Sequence, residues 1–301
     1  MSQTAFDPAG LLTQQIFGLP VDRDTLFANH KYVYKKRVEK RQRKLIVRLS
    51  FIRPFLRPDE KILLVTTGYS PARDLANLIT GWLFIYLKRC LFVFTNYRIF
   101  HIPATSTFKY RNSIAHIPYA ACSAITLPRG TLTTEYRRSG KVEKFYGIAV
   151  AERKKIRSLL AKLPSRKTQD LQGERVHLCP RCTHPLQNER YVCDSCQLRF
   201  KSKLTARILG IVFPGGGYFY TRNYFPAMIA ALLELGLLGS VGFLLQNGLP
   251  ADTGDQLFAG GACLLWLIVK AVGVIHASHF VKEFLPVKTR FQTRPVARRR
   301  G

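Results

Sequence analysis

Two long apolar runs, close together near the C-terminal end, constrain this chain more than any other feature. Phe225–Leu245 (FPAMIAALLELGLLGSVGFLL) and about Leu257–Val281 each reach the ~20 residues that a helix needs to cross a bilayer core of roughly 30 Å. Inside lipid every backbone amide must be satisfied within the protein, so runs of this texture read as spanning helices. The stretch between them, QNGLPADTGD, carries two aspartates and no Lys or Arg. Lys201, Lys203 and Arg207 precede the pair, and Lys282, Lys288, Arg290, Arg294 and Arg298–Arg300 follow it. The positive-inside rule then puts both termini in the cytoplasm and the short loop outside, as in a multi-pass protein of the bacterial inner membrane. Met1–Gly18 has no basic segment followed by an apolar core, which argues against a secretory signal.

Just before this region stand two cysteine pairs, Cys179-x2-Cys182 and Cys193-x2-Cys196, separated by ten residues. Each pair places two thiolates on one side of a tetrahedral ion, and ten residues suffice for a short hairpin. With no secretory signal, metal is favoured over disulfides, which agrees with a reducing cytoplasm. The expectation is one Zn2+ in a closed four-thiolate shell, hence a structural rather than catalytic metal. The module resembles a zinc ribbon, with Cys179-Pro-Arg-Cys182 as its first knuckle. Thr183 and Gln197 stand where that family commonly has glycine, so looser knuckles are expected. His177 and His184 are not needed as ligands. Redox pairing of the cysteines is the weaker alternative. Cys90, Cys122 and Cys263 lie in apolar surroundings and read as buried small hydrophobes.

Glu234, Lys270 and His276 are ionisable groups inside the apparent spans, and each needs a reason to be there. Counted inward from Phe225 and Val281 at ~1.5 Å per residue, Glu234 lies ~14 Å deep and Lys270 ~16 Å deep. Similar depths in an antiparallel hairpin predict a Glu234–Lys270 pair, within the hairpin or across an oligomer interface. Its role is either structural neutralisation or part of a proton or substrate path. Simple pairing predicts that exchanging the two charges rescues a destabilised single variant.

The chain carries 47 Lys+Arg against 18 Asp+Glu, a formal charge of +29. Such a balance attracts polyanions, whether anionic lipid head groups or nucleic acid, and is also common on cytoplasmic parts of membrane proteins for topological reasons. Its densest part is Lys31–Arg57, with Lys35, Lys36, Arg37, Arg41, Arg43 and Lys44 as the basic surface. Apolar residues interleave with these cations, as in a basic amphipathic helix on a membrane surface. A helical arm docked on the next domain fits equally well.

Between Asp59 and Leu163 the texture is β-rich: Lys61–Thr67, Gly81–Leu87, Cys90–Pro103, Ser113–Ile117, Ala121–Leu127, and Gly130–Arg137 with Lys141–Ile148 around a Ser139-Gly140 turn. Ile156, Leu159, Leu160 and Leu163 then recur at helical spacing. Strands followed by one helix describe an antiparallel half-barrel with a closing helix. Leu91-Phe-Val-Phe-Thr95-Asn96-Tyr97-Arg98-Ile99-Phe100 resembles the strand–turn–strand signature of bacterial PH-like domains, in which Thr-x-x-Arg-apolar recurs. Ser113–Tyr119 and Cys122–Ile125 resemble the strands that follow, while the insertion Ser70–Asn77 and the basic arm depart from the pattern. The resemblance covers about a third of the chain and implies a lipid- or protein-binding module.

Ile208–Tyr220 is apolar but too short to span, and a third span would carry the basic tail outside. It reads as a re-entrant or interfacial segment turning at Gly215, Gly216 and Gly217. Gly215, Gly217, Phe219 and Tyr220 resemble the opening of TM2-type membrane hairpins, with Thr221 in place of the usual small residue. A glycine-rich helix start that allows close packing is the plainer alternative.

The expected architecture is multidomain α+β plus membrane. An arm (1–58) leads into a PH-like domain (59–163), a linker (164–176), a zinc ribbon (177–200), the membrane region (204–282) and a basic tail (283–301). No Walker-type loop, nucleophile elbow or Cys–His nucleophile grouping is present, so no catalytic residue is assigned and a non-enzymatic role is expected. The expected role is an anchored adaptor for anionic lipid or a protein partner. A nucleic-acid- or ribosome-associated membrane factor is the first rival. A small transporter or membrane enzyme using Glu234, Lys270 and His276 is the second. An oligomer is compatible with each.

Overall fold

The computed structural model describes residues 15–70, 88–162, 174–246 and 253–288, which fall into two compact units. The Gly81–Leu87 strand, most of the Ser70–Asn77 insertion and the tail beyond Lys288 lie outside the described residues.

In the first unit, a short hairpin (β1, Gln15–Ile16; β2, Leu19–Pro20) precedes α1 (Arg23–Leu26) and α2 (Lys36–Ile46). A 3-10 stretch, Val47–Phe55, leads from α2 to the sheet. The main sheet contains β3 (Ile62–Tyr69), β4 (Arg89–Thr95), β5 (Arg98–Pro103) and β6 (Ile114–Pro118). A second sheet follows, β7 (Cys122–Thr126), β8 (Leu132–Tyr136) and β9 (Val142–Phe145), then helix α3 (Val150–Lys162). The short strands β10 (Val176–Leu178) and β11 (Pro185–Leu186) extend the main sheet, giving six antiparallel strands in the order β11-β10-β6-β5-β4-β3.

Strands β4 and β5 show no alternation of apolar and polar residues because both of their faces are covered. On one face Val65, Leu91, Val93, Phe100 and Ile102 meet Ile46, Leu49, Ile52 and Phe55 of the basic arm. On the other, Leu64, Phe92, Phe94 and Ile99 meet Leu132, Tyr136 and Phe145 of the second sheet and Ile156 and Leu159 of α3. The apolar face of the arm is therefore inside the protein, and the docked-arm alternative describes the structure. Gln42 fixes the docking: its side-chain amide donates to the Val65 carbonyl and accepts from the Val65 N–H, each at 2.9 Å. Lys35, Lys36, Arg37, Arg43 and Lys44 are left exposed, and Arg41 is half-buried.

The Thr-x-x-Arg run is a polar joint at the β4–β5 turn. The Thr95 hydroxyl accepts from the N–H groups of Tyr97 and Arg98, closing the turn. Arg98 grips Glu60 with two bonds, Nε to Oε1 at 2.9 Å and Nη2 to Oε2 at 2.7 Å, and also donates to the Phe55 carbonyl. Glu60 is fully buried, so the pair holds the end of the arm against the sheet. Removing one partner of such a pair strands a buried charge, whereas apolar replacement of both removes charge and counter-charge together. We expect Arg98→Met to cost about 3–5 kcal/mol and the Glu60→Leu/Arg98→Met double variant to cost less than the single. Thermal unfolding of the full-length protein, followed by hydrogen exchange over residues 55–69, checks the order.

The second unit contains the second cysteine pair and, after it, the helices. Short helices α4 (Lys203–Val212) and α5 (Gly216–Tyr220) precede α6 (Tyr224–Gln246) and α7 (Thr253–Val281). Tyr224–Gln246 and Gln256–Val281 are long and apolar enough to cross a membrane, with mean hydropathy of 2.1 each. Their large apolar side chains, such as Leu232, Phe243, Leu257 and Leu264, point outward. Cys263 is also exposed on α7, unlike Cys90 and Cys122, because it shares this outward apolar surface.

Candidate metal centre and the polar cluster of the helical unit

The two cysteine pairs fold into two copies of one turn. In the first knuckle the Thr183 N–H donates to the Cys179 carbonyl at 2.9 Å and the Cys179 N–H to the His184 carbonyl at 2.8 Å. In the second, Gln197 N–H donates to Cys193 carbonyl and Cys193 N–H to Leu198 carbonyl, both at 2.9 Å. The four sulfur atoms lie within 4.8 Å of one another, an arrangement that can hold a metal ion. Four thiolates at this distance repel strongly unless a cation or protons intervene, and tetrahedral thiolate coordination suits their number and softness. In each pair the first cysteine is buried and the second partly exposed.

The residues after each second cysteine adopt the left-handed backbone, Thr183 at φ 61° and Gln197 at φ 58°. The turn dictates this conformation whatever side chain is present, and a non-glycine residue there stores about 1 kcal/mol of strain. Thr183→Gly and Gln197→Gly are each expected to stabilise the module by about 0.5–1 kcal/mol, measurable as slower loss of metal to a competing chelator.

Gly215, Gly216 and Gly217 lie at the junction between α4 and α5. Gly215 has a φ of 62°, and a Cβ on it would approach the Ala227 carbonyl oxygen to 2.3 Å. A Cβ on Gly216 would lie 2.2 Å from the Leu209 carbonyl oxygen. These glycines serve both the turn and close packing. Tyr220 closes the junction from the other side: its hydroxyl accepts from Ser202 N–H at 3.1 Å, and its carbonyl accepts from Lys201.

The break at Val212–Gly216 leaves helix-end groups without intrahelical partners, and Glu234 and Lys270 supply them. Lys270 Nζ lies 2.8 Å from Glu234 Oε2 and donates to the carbonyls of Gly210 at 3.3 Å and Phe213 at 3.1 Å. Glu234 Oε1 accepts from the Gly215 N–H at 3.3 Å. The cation thus sits at the C-terminal end of α4 and the anion at the start of α5, each where the local backbone dipoles favour it. His276 makes a separate contact, its Nδ1 bonding the Tyr218 hydroxyl, with both residues buried.

This geometry changes the outcome expected of a charge exchange. A carboxylate at position 270 would face two carbonyls, and an ammonium at 234 would face an N–H. Glu234→Lys/Lys270→Glu is therefore expected to fall below either single variant in folded protein level and thermal stability. Glu234→Gln, whose amide oxygen can still accept from Gly215, is expected to be milder than Glu234→Leu.

Among the described residues, His101 and Ser70 are placed like a nucleophile–base pair, with Ser70 Oγ 2.7 Å from His101 Nε2. Arg175 donates to His101 Nδ1 at 3.1 Å, which fixes that nitrogen as the acceptor. Nε2 then carries the proton and donates to Ser70, the reverse of what activating the serine requires. Burial pushes the Cys122 thiol up to about 12, so it is an inert core group. Sequence reasoning did not anticipate Glu60, Gln42, Arg175 or Tyr218, whose roles arise from partners far away along the chain. Compared with family models, curated proteins and solved structures, the chain matches none.

Proposed function

We propose that this chain is a non-enzymatic adaptor of the bacterial inner membrane. In this reading α6 and α7 span the bilayer with both termini cytoplasmic. They anchor a PH-like domain and a zinc ribbon that carries one structural Zn2+. The observation that carries the proposal is the disposition of α2. Its apolar side is consumed by the sheet, while Lys35, Lys36, Arg37, Arg43 and Lys44 face outward, in a chain that also has two helices suited to a membrane. A solvated cationic face of this kind recruits polyanions electrostatically, without inserting.

The Glu234–Lys270 pair weighs against the transporter reading, because its bonding groups are committed to the α4–α5 junction. Anionic lipid or an acidic protein partner are the occupants the adaptor reading expects. Nucleic acid would be drawn by the same cations and is resolved by experiment.

Purified protein is expected to contain one zinc per chain by elemental analysis, lost in Cys182→Ser; zinc-free wild-type protein would remove the ribbon from the proposal. The full chain in neutral-lipid nanodiscs is expected to co-float with vesicles containing anionic lipid and to release as salt rises. Reversal of Lys35, Lys36, Arg37, Arg43 and Lys44 to Glu is expected to abolish flotation. RNA capture that outcompetes anionic vesicles would replace the lipid reading with the nucleic-acid one.

A further inference from the structure

Beside the docked arm, the start of the Ala28–Tyr34 loop (Ala28, Asn29 and His30), helix α2 and the first turns of α3 line an open pocket of about 250 Å³. Its polar lining is Asn29, His30, Arg41, Glu152, Lys154 and Lys155. Glu152 is 1% exposed. Its Oε1 accepts from Arg41 Nε at 2.6 Å and from Gln42 Nε2 at 3.1 Å, whereas Oε2 is buried with no donor among the described residues. A buried carboxylate oxygen without a donor is costly, so something that donates a hydrogen bond belongs there.

Around that acceptor the charge is positive. Arg41, Lys154 and Lys155 face a single acid, and α3 begins at Val150, so its N-terminal dipole adds to the attraction for an anion. Lys155 Nζ is tied to the carbonyls of Leu26 at 2.9 Å and Ala28 at 2.7 Å, two of its three donor directions. Burial depresses its pKa to about 8, a desolvation that a neighbouring anion offsets. The pocket therefore asks for one molecule bearing both an oxyanion and a nearby hydroxyl donor.

The surroundings point to a lipid source. The same loop that walls the pocket exposes Tyr32, Val33 and Tyr34 at its tip, flanked by the exposed Lys31, Lys35 and Lys36. Aromatic residues set among cations suit the headgroup layer of an anionic bilayer. The volume lies below that of pockets for drug-sized ligands, roughly 300–1,000 Å³, so it admits a headgroup and leaves acyl chains outside.

We propose that this pocket binds the glycerophosphate headgroup of an anionic lipid, with Arg41, Lys154 and Lys155 holding the phosphate and Glu152 Oε2 accepting from a glycerol hydroxyl. The inference deepens the lipid arm of the adaptor reading and can fail without it.

The test uses the full chain in neutral-lipid nanodiscs, titrated with short-chain phosphatidylglycerol and with short-chain phosphatidylmethanol. The second lipid has the same phosphodiester charge but no hydroxyl. Phosphatidylglycerol is expected to bind about tenfold more tightly, since a site with a buried acceptor rejects the analogue lacking the donor. Glu152→Gln is expected to reduce that preference to less than about twofold. Lys154→Ala, an exposed position that cannot unfold the domain, is expected to weaken both lipids by a similar factor. Unchanged zinc content and thermal transition certify each variant.

Equal affinity of the parent for the two lipids overturns the pocket, as does a preference unaffected by Glu152→Gln. If flotation with anionic vesicles persists in that case, the basic-surface reading stands alone; if flotation is also absent, both fall. Free glycerol 1-phosphate binding as tightly as the lipid overturns the lipid source.

Discussion

Backbone groups at chain breaks must find partners, and in this protein buried acid–base pairs supply them. Where α4 stops and α5 starts, Lys270 takes the carbonyls of Gly210 and Phe213 and Glu234 takes the Gly215 amide. Where the arm runs into the main sheet, Arg98 takes the Phe55 carbonyl while gripping Glu60. An ion pair alone gains little from burial, because desolvation offsets attraction. Here the carbonyls and the amide complete the coordination of each charge, so the pair and the irregular backbone stabilise one another. The rest of each unit is arranged around regions that would otherwise not be tolerable.

Much of the architecture was legible because its signals are local. Apolar length marked α6 and α7, cysteine spacing marked the knuckles, and matching depths paired Glu234 with Lys270. The polarity of that pairing was not legible. Depth counting treats two opposite charges as interchangeable, whereas the helix ends they serve have fixed sign. Likewise Lys31–Arg57 has the composition of a membrane-surface helix and of a docked arm alike. What separates them is a sheet whose apolar face, Val65, Leu91, Val93, Phe100 and Ile102, drawn from three later strands, is covered by the arm. The pocket beside α3 was invisible for the same reason: Arg41 and Glu152 meet across 111 positions.

The charge surplus divides by geometry into distinct kinds of cation. Some are structural, such as Arg98 and Lys270, buried against carboxylate and carbonyl. Others, such as Lys35, Lys36, Arg37 and Lys44 on and just before α2, are exposed to solvent. Only the second kind would contribute to the recruitment proposed above. The formal charge of +29 therefore overstates the attractive surface, and the patch around Lys31–Lys44 matters more than the total.

The contact at Gly216 has a mechanical implication. Only a hydrogen atom separates its α-carbon from the turn of α4 that ends in Leu209, which leaves no clearance for one short helix to slide along the other. With Glu234 and Lys270 bonded to the same junction, α4 and α5 are tied together into one piece. The Ser202 cap belongs to the same piece, its hydroxyl bonding Thr205 and its N–H donating to the Tyr220 hydroxyl, so bending would fall to the Thr221–Asn223 turn before α6. Any displacement passed along this part of the chain would be transmitted as a pivot rather than absorbed as a stretch.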